Sequence, residues 1–320
     1  MTPSFKIAAA ALTLAALTGA TACSPPEAPK AADTPAPPLA PAPLVSPAVS
    51  AVRIGTLEAT ALKDGVIRIP AGEAEKSPWN NVAEVSALLT STGVTDGTIH
   101  LSIQPLLVRD GERVVLIDAG AGGQMGTEGR LTTSLRDAGV EPGQVTDVLI
   151  SHAHGDHVGG LVGADGELTF PNAVIRMSAP EWAAARAGAD EAGAGPLMAA
   201  ISAKVEPFVP GAQVTPSIKA VPLAGHTPGH SGYEIVSGED RLLYIGDAMH
   251  SSIVSVQRPE WVNEWDIDNA RAVATRQDLL ARGVTGTRRI YGVHFPFPGV
   301  GRFQRVDDGF VWIPDSSAQP

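Results

Sequence analysis

The sequence contains almost no cysteine, and this scarcity excludes several kinds of site. Cys23 is the single cysteine among 320 residues. An intrachain disulfide needs two cysteines, and a zinc site built from several thiolates needs at least as many. Any metal ion bound by this chain would therefore take its ligands from nitrogen and oxygen atoms, which histidine and the acidic residues supply.

Positive charge is scarce as well. The chain has 23 basic and 34 acidic residues, so its formal net charge is −11. Residues 1–50 contain two residues of each sign, and the whole negative excess therefore lies on residues 51–320. Because affinity for a phosphate backbone is built from lysine and arginine, the sequence argues against a nucleic-acid partner.

The chain begins with an apolar run that is too short to cross a bilayer. Lys6 precedes this run, residues 7–17, and the small residues 19–22 follow it. A transmembrane helix needs about 20 apolar residues. A basic residue, a short apolar core and a small-residue end are instead typical of a secretory signal peptide. We therefore expect residues 1–22 to direct export.

Cys23 immediately follows the predicted signal peptide, an arrangement that resembles a bacterial lipoprotein signal. The resemblance implies that Cys23 is lipidated and becomes the mature N-terminus. The protein would then be a periplasmic or outer-membrane-anchored lipoprotein, with the lipidated Cys23 as its membrane contact. The alternative is ordinary cleavage after Ala22, which leaves a free cysteine. Export is expected in either case.

Residues 23–50 are rich in proline and alanine. Nine of the 27 prolines fall between Pro25 and Pro47. Such a stretch favours extended conformations and cannot bury a core, so it is typical of a tether. The remaining residues, 51–320, are long enough to form one large domain.

Short β-branched segments alternate with amphipathic ones in residues 51–320, which predicts a mixed α/β layered domain. The predicted helices are residues 132–138, 179–187 and 269–282. The predicted strands are residues 52–62, 65–69, 99–108, 113–117, 145–150, 174–177, 221–223, 231–236, 241–245 and 290–293.

Three of the eight histidines lie within residues 152–157, directly after the predicted strand 145–150. In an extended segment residues two apart point the same way, so His152 and His154 can face one point in space. Asp156 and His157 can reach a second point as the chain turns. Imidazole and carboxylate ligands suit zinc. The alternative is a polar loop with chance histidines, but four ligand-type residues within six positions make that alternative a poor account.

Further candidate ligands follow other predicted strands. His226, Asp247 and His294 each come shortly after an apolar strand segment. Core strands can gather such residues at one edge of a sheet. His230 and His250 lie close to these ligands in sequence. We expect His230 to pack behind the ligands or to form a hydrogen bond there. His250 either contacts the substrate or is a histidine of a surface loop.

These motifs, with residues 116–120 before them, resemble the five ordered motifs of the metallo-β-lactamase superfamily over roughly residues 52–315. The resemblance implies a four-layer αβ/βα sandwich and two divalent metal ions, with zinc expected. Asp247 would bridge both ions, and Asp118 would stand near the site without binding either one. One ion would be held by His152, His154 and His226, and the other by Asp156, His157 and His294.

The resemblance also implies a chemistry. A hydroxide held between two ions would attack a carbonyl carbon or a phosphorus, and Asp156 and Asp247 would hold the ions and transfer protons. The expected enzyme is a dinuclear metal-dependent hydrolase of small ester-like substrates: lactones, aryl esters or organophosphate triesters. Two alternatives are an exported metallo-β-lactamase that hydrolyses β-lactam amides and a non-catalytic metal-binding lipoprotein.

The C-terminal third is similar to the methyl parathion hydrolase-like group of exported or lipid-anchored hydrolases. The similar segments are residues 257–261, 265–268, 292–301 and 309–314.

Aromatic residues make up only 5% of the chain. They are the candidates for the apolar walls of a substrate pocket. Phe295 and Phe297 are the strongest candidates because they follow His294 directly. The other candidates are Trp79, Trp182, Trp261, Trp265 and Phe208. For each of them packing in the core is the alternative. Apolar walls would suit an acyl chain or an aryl leaving group.

Overall fold

The computed structural model describes residues 48–188, 194–285 and 288–315. All of them belong to one compact unit, residues 43–320. The predicted signal peptide, Cys23 and most of the predicted tether lie outside the described residues. The first strand begins at Val49, just before the predicted domain start. In the ranges described, no helix is both long and apolar enough to cross a membrane.

Strands and helices alternate along most of the described chain. The helices are α1 (Val82–Ser91), α2 (Leu131–Asp137), α3 (Gly155–Val158), α4 (Ala179–Gly188), α5 (Gly195–Ile201), α6 (Val254–Gln257) and α7 (Asn269–Gly283). The strands are β1 (Val49–Ile54), β2 (Leu57–Leu62), β3 (Gly65–Pro70), β4 (Thr98–Ile103), β5 (Leu106–Asp110), β6 (Arg113–Ile117), β7 (Asp147–Leu149), β8 (Val174–Ser178), β9 (Val205–Phe208), β10 (Ile218–Pro222), β11 (Ser231–Ser237), β12 (Asp240–Tyr244), β13 (Arg289–Tyr291), β14 (Val300–Val306) and β15 (Gly309–Pro314).

Two mixed sheets and one hairpin contain these strands. The first sheet has the order β1-β2-β5-β6-β7-β8-β9, and the second has the order β10-β11-β12-β13-β14-β15. Pairing is parallel from β6 to β9 and between β12 and β13, and the other neighbours are antiparallel. Strands β3 and β4 pair only with each other.

The two large sheets pack face to face, and each is covered by helices on its outer face. In β6, Val115 and Ile117 contact the second sheet, while Leu116 lies in the cluster formed with α2, α4 and α5. In β12, Tyr244 faces the first sheet, whereas Leu243 lies in the cluster formed with α6 and α7. Successive strand residues point to opposite faces, so both faces of these strands are apolar. The resulting order of helix, sheet, sheet and helix confirms the predicted four-layer αβ/βα sandwich.

Helix α7 shows why one of these outer layers forms. Its buried residues recur at the spacing of one helical face: Ala272, Arg276, Leu279, Leu280 and Gly283. The side chain of Asp268 accepts a hydrogen bond from the backbone N–H of Arg271 and so caps the N-terminus. Full burial of each leucine contributes about 1.5–3 kcal/mol, which exceeds what helix propensity alone supplies.

Several predicted elements differ from the structure in extent. Predicted helices 132–138, 179–187 and 269–282 correspond to α2, α4 and α7 within one residue at each end. The predicted strand 52–62 is two strands, because the chain turns at Gly55 with φ +55°. A side chain there would meet the carbonyl oxygen of Ser237 at 2.5 Å, so the turn requires glycine.

The predicted strand 99–108 also divides, and its halves belong to different sheets. The break falls at Gln104 and Pro105, between β4 and β5. The buried amide of Gln104 donates hydrogen bonds to the carbonyls of Gly292 and Phe295, and Pro105 has no N–H to continue a ladder. This break allows the hairpin of β3 and β4 to leave the first sheet.

Candidate metal centre

The predicted ligands come together at one end of the two sheets. His152, His154, Asp156 and His157 follow β7, and His226, Asp247 and His294 follow β10, β12 and β13. Two hydrogen bonds hold the sheets together at this end: the Tyr233 hydroxyl donates to the Ile150 carbonyl, and the Ser231 N–H donates to the Ser151 carbonyl. Sites in α/β proteins commonly lie at such strand ends.

Three histidines form the first group of converging atoms. His152 Nε2 lies 3.0 Å from His154 Nδ1, His226 Nε2 lies 3.2 Å from His152 Nε2, and His226 Nε2 lies 2.9 Å from His154 Nδ1. Nitrogen ligands sit about 2.0–2.1 Å from zinc, so in a tetrahedral site they lie about 3.3 Å apart. The observed spacing matches one shared ion. We call these residues the three-histidine group.

Two carboxylates and two histidines form a second group beside it. His157 Nε2 lies 3.5 Å from Asp156 Oδ2 and 3.2 Å from Asp247 Oδ1. His294 Nε2 lies 3.5 Å and 3.0 Å from the same two oxygens. The four ligand atoms lie within 4.8 Å of one another. We call these residues the mixed group.

Asp247 lies between the two groups. Its Oδ1 faces the mixed group, whereas its Oδ2 lies 3.8 Å from His152 Nε2 and 3.6 Å from His226 Nε2. His230 fixes the backbone of Asp247, because its Nε2 accepts a hydrogen bond from the Asp247 N–H at 2.9 Å. The structure therefore brings together the residues predicted for both ions and places a shared carboxylate between them.

Hydrogen bonds to the outer ring nitrogens hold the histidine rings in place. The partners are carboxylates, a hydroxyl and a backbone carbonyl, and each leaves the inner nitrogen of its histidine facing the ligand group. The paired atoms are His157 Nδ1 with Asp118 Oδ2, His226 Nδ1 with Asp266 Oδ1, His294 Nδ1 with the Ser102 carbonyl and His152 Nδ1 with Ser151 Oγ.

Asp118 lies near the centre without facing either group directly. Besides His157, the N–H and hydroxyl of Ser151 and the hydroxyl of Tyr244 donate hydrogen bonds to its carboxylate. Its backbone has φ +61°, a left-handed conformation that costs a non-glycine residue about 1–3 kcal/mol. The four donors hold Asp118 in this conformation, behind His157.

The two groups differ in protonation. Burial lowers the pKa of all three imidazoles of the three-histidine group, that of His226 to about 4. Burial has the same tendency in the mixed group, but Asp247 and Asp156 overcome it and raise the pKa of His157 and His294. Conversely, burial opposes ionisation of Asp156 and Asp247, yet these two histidines lower the pKa of both carboxyls.

These residues fit two divalent cations. His157 Nε2 and Asp247 Oδ1 are buried and have no hydrogen-bond partner among the described residues, which is costly unless a cation satisfies them. Five imidazoles and two carboxylates are ligands that suit zinc and similar ions. His152, His154 and His226 would hold one ion, Asp156, His157 and His294 the other, and Asp247 both.

The chemistry that two bound divalent ions supply is Lewis acidity for a substrate oxygen and a water pKa lowered to about 7. Against the opposing effect of burial, His157 and His294 lower the pKa of Asp156 and Asp247, so both carboxylates are ionised at neutral pH and can serve as ligands. Burial of the centre excludes bulk water that would compete with these ligands.

A cavity of about 320 Å³ opens over the centre. Its floor is formed by metal-ligand residues, and its wall is largely apolar. Ile67 and Leu101 are directly opposite each other in the β3–β4 hairpin. The other lining residues are Met125, His154, Gly155, Asp156, His226, Asp247, His250, Trp265 and His294.

The structure corrects the predicted pocket residues. Phe295 is fully buried in the core outside the second sheet, with its ring 4.9 Å from that of Trp312. Phe297 is partly buried against the core between the sheets, and Trp182 packs on the outer core of the first sheet. These three do not line the cavity, and neither do the other candidates Trp79, Trp261 and Phe208, whereas His250 and Trp265 do.

Several residues of the site were missed by sequence reasoning. Ile67 and Leu101 line the cavity because the hairpin bends back over the sheet ends, and a pairing register is not visible in local sequence. Met125 stands in a glycine-rich loop, residues 120–129, which could have suggested a backbone that approaches the site closely. His100 lies outside the cavity: it is exposed on β4, and its Nε2 lies 2.6 Å from Asp96 Oδ2.

Comparisons with known proteins agree with this geometry. The profile of the family described as Metallo-beta-lactamase superfamily matches residues 101–294. The structure of AidC, described as a dizinc quorum-quenching lactonase in complex with a product, is 30% identical, with a TM-score of 0.77 over 84% of this chain and 97% of AidC. The hydrolase AbOPH, described as a member of the beta lactamase superfamily, is also 30% identical, with a TM-score of 0.74 over 83% of this chain and 97% of AbOPH.

A probable metal-dependent hydrolase from Staphylococcus aureus shares the fold at 19% identity, with a TM-score of 0.70 over 83% of this chain and 99% of that protein. No curated protein sequence matches the chain significantly. The family profile spans more than half of the chain. It contains all seven residues of the two ligand groups, and the last of them, His294, is its final position. The chain therefore belongs to the metallo-beta-lactamase superfamily and is a metal-dependent hydrolase with a site for two divalent ions.

Proposed function

We propose that the enzyme hydrolyses the ester bond of lactones that carry an apolar acyl chain. The observation that carries this proposal is the division of the cavity into a metal-binding floor and an apolar wall. The floor would polarise a carbonyl group, and Ile67, Leu101, Met125 and Trp265 offer a surface for hydrocarbon. A volume of about 320 Å³ suits a small substrate and excludes a polymer.

His250 is proposed to contact the polar end of the substrate. It is 2% exposed, and neither ring nitrogen has a hydrogen-bond partner in the described part of the chain. The ring packs against Trp265 at 4.8 Å between centroids, and its Nε2 lies 3.5 Å from Asp247 Oδ2. A buried imidazole without partners is costly, and a bound ester oxygen or ring oxygen at the cavity would supply one.

The comparison with AidC supports both the substrate class and the metal. AidC, at 30% identity, is described as a dizinc lactonase with the product N-hexanoyl-L-homoserine. That product joins a polar head to a short hydrocarbon chain, and the cavity described above offers a place for each. Zinc is proposed as the resident ion because the site is rich in imidazole nitrogen.

Aryl esters and organophosphate triesters are the second proposed substrate class. They place a carbonyl carbon or a phosphorus beside an apolar aryl group, and the same floor and wall would accept them. This candidate rests on the resemblance of residues 257–261, 265–268, 292–301 and 309–314 to the methyl parathion hydrolase-like group. A β-lactam amide is the remaining alternative from the sequence.

A substrate panel on zinc-reconstituted protein tests the proposal. Hexanoyl-homoserine lactone, a paraoxon-type triester, an aryl acetate and a cephalosporin would be compared by kcat/KM. We expect the lactone to give the highest value, and His152→Ala to abolish it. Preference for the triester would establish the second class, and turnover of the cephalosporin alone would overturn both.

His250→Gln and His250→Ala separate substrate contact from packing. Glutamine keeps a hydrogen-bonding group near the position of the imidazole nitrogen, whereas alanine removes it. If His250 contacts the substrate, kcat/KM for the lactone should fall about tenfold or more in His250→Ala and less in His250→Gln, since one hydrogen bond to a buried partner contributes about 1–3 kcal/mol. Equal losses in both variants would contradict the contact.

We further propose that the protein is exported and anchored through a lipid on Cys23. The proposal rests on the signal-like residues 1–22 and on the cysteine that directly follows them. Labelling of cells with a palmitate analogue should modify the wild-type protein and not Cys23→Ser. Equal labelling of the two would contradict the anchor and leave the export proposal to be tested by fractionation.

A further inference from the structure

One buried carboxylate near the centre has no place in the metal-ligand set. Glu181 stands in the first turn of α4 and is 2% exposed. No lysine or arginine forms an ion pair with it among the residues described. Burial raises the pKa of this carboxyl, while hydrogen bonds from Thr227, Ala153 and Gly229 oppose that rise. Burial of a carboxyl group costs free energy unless hydrogen bonds compensate for the lost water. The hydrogen bonds of Glu181 therefore stabilise its buried position.

The hydrogen bonds of Glu181 join the two loops that supply the three-histidine group. Oε1 accepts from the backbone N–H of Ala153, the residue between His152 and His154, at 2.9 Å. Oε2 accepts from the Thr227 hydroxyl at 2.7 Å and from the Gly229 N–H at 3.0 Å. Thr227 directly follows His226. One carboxylate therefore connects all three histidines of this group through their neighbours in the chain.

Close packing at Gly229 reinforces this connection. A side chain at Gly229 would lie 2.2 Å from the Glu181 nitrogen and 2.4 Å from Ser178 Oγ. The Ser178 hydroxyl also donates to the Gly229 carbonyl at 2.6 Å. The loop after β10 thus rests on the N-terminal turn of α4 with no room between them, and only glycine allows this approach.

We propose that Glu181 is a positioning residue that sets the spacing of the three-histidine group and thereby its affinity for a metal ion. It acts through Ala153 and Thr227 and touches neither a ligand atom nor the cavity. The mixed group draws on the loop after β7 as well, but its His294 is positioned by Ser102 and its His157 by Asp118. Loss of Glu181 should therefore affect one ion more than the other.

The test measures metal affinity in the full-length protein, so its result does not depend on the substrate. Wild type, Glu181→Gln and Glu181→Ala would be stripped with a chelator and titrated with cobalt(II), whose visible absorption reports each site. His294→Ala removes a ligand of the mixed group alone, so its spectrum identifies the bands of the three-histidine group.

Asp110→Asn provides a matched control. Asp110 is also a buried carboxylate, and it accepts hydrogen bonds from the Thr215 hydroxyl and from the N–H and hydroxyl of Ser217. Its partners lie in the segment just before β10, whereas His226 follows the other end of that strand. Loss of its charge should lower thermal stability while both cobalt affinities remain those of the wild type.

We expect Glu181→Gln to bind one ion with wild-type affinity and the ion of the three-histidine group about 10–100-fold more weakly, as is typical for residues that position metal ligands. Thr227→Val should show a smaller loss of the same kind, and Thr227→Ser should restore it. Wild-type affinity at both sites in Glu181→Gln and Glu181→Ala would overturn the proposal. So would an equal loss at both sites, because that result would mark Glu181 as a general stabiliser.

Discussion

The three-histidine group and the mixed group lie side by side and share Asp247, but their charges are arranged differently. The first brings together three imidazoles whose pKa is lowered, chiefly by burial. The second pairs two carboxylates with two histidines whose pKa is raised by those carboxylates. Imidazoles of the first group therefore favour the neutral form, whereas the carboxylates of the second group favour protonation of His157 and His294.

This difference means that protons compete with metal ions at one group far more than at the other. A metal ligand must be deprotonated, so an ion that enters the mixed group has to displace protons from His157 and His294. An ion that enters the three-histidine group displaces almost none. The shared Asp247 then links the occupancy of one group to that of the other.

Removal of a ligand tests whether both groups are needed, and it has the largest expected effect. His152→Ala should lower kcat/KM for the lactone by more than about 100-fold. Loss of a residue that only positions a metal ligand already lowers metal affinity or activity about 10–100-fold. His100→Ala is the control, because His100 is exposed on β4 and pairs only with Asp96 in the described structure. Retained activity in His152→Ala would show that the mixed group suffices alone.

The pH dependence of metal binding shows directly how strongly protons compete with the metal ion at each of the two groups. Below its pKa each protonated histidine weakens binding about tenfold per pH unit, so two of them weaken it by up to about 100-fold per unit. As pH falls below 7, the mixed group should therefore lose its ion first. The three-histidine group should retain its ion to lower pH, because the pKa values of its three imidazoles are lowered, that of His226 to about 4. Calorimetry in buffers of different ionisation enthalpy would report the protons released per ion. Equal proton release by the two ions would contradict the assignment.

Asp266 offers a way to change the three-histidine group alone. Its Oδ1 accepts from His226 Nδ1, and its Oδ2 accepts from Arg276 at 2.7 Å and from Asn263 at 2.9 Å. Asp266→Asn should weaken the ion of this group about 10–100-fold, with little change at the mixed group. Asp118→Asn should weaken chiefly the ion of the mixed group, since Asp118 contacts His157 directly and His152 only through Ser151. Cobalt(II) spectra of the two variants would show whether the losses fall on different bands.

The smallest predicted effect concerns the cavity wall. Leu101→Ala removes apolar surface opposite Ile67, and each lost methylene contact is worth about 0.8 kcal/mol. KM for hexanoyl-homoserine lactone should rise about fivefold while kcat and metal content stay the same. A fall in metal content would show that the hairpin supports the centre as well as the substrate, because the Ser102 carbonyl next to Leu101 positions His294.

The convergence of the candidate ligands was predicted from sequence, and the cavity wall was not. His152 and His154 lie two apart after an apolar strand, and His226, Asp247 and His294 each follow a strand, which indicated one sheet edge; their division between two ions came from the family resemblance. Phe295 was assigned to the pocket because it follows His294 directly. His294 and Phe295 lie in a turn after β13, in which the Phe295 N–H donates to the Gly292 carbonyl, and Phe295 packs in the outer core of the second sheet.

The contacts that position the ligands were equally hidden. Glu181 is 28 residues from Ala153 and 48 from Gly229 in sequence. Its contacts with both loops depend on how α4 packs against them. The strands β14 and β15 were also unpredicted; in β14, Arg302 and Arg305 interrupt the apolar pattern. Local patterns thus identified the elements with strong periodicity and the ligand motifs, and tertiary packing decided the rest.

The β11–β12 turn stands at the end of the sandwich that carries none of the seven ligands. Gly238 and Glu239 are exposed there, and a side chain at Gly238 would meet nothing within 4 Å. Residues 51–320 contain no cysteine, so Glu239→Cys would give this domain a single addressable thiol. Coupling through that thiol would fix the enzyme to a surface in one orientation, with its cavity directed into solution.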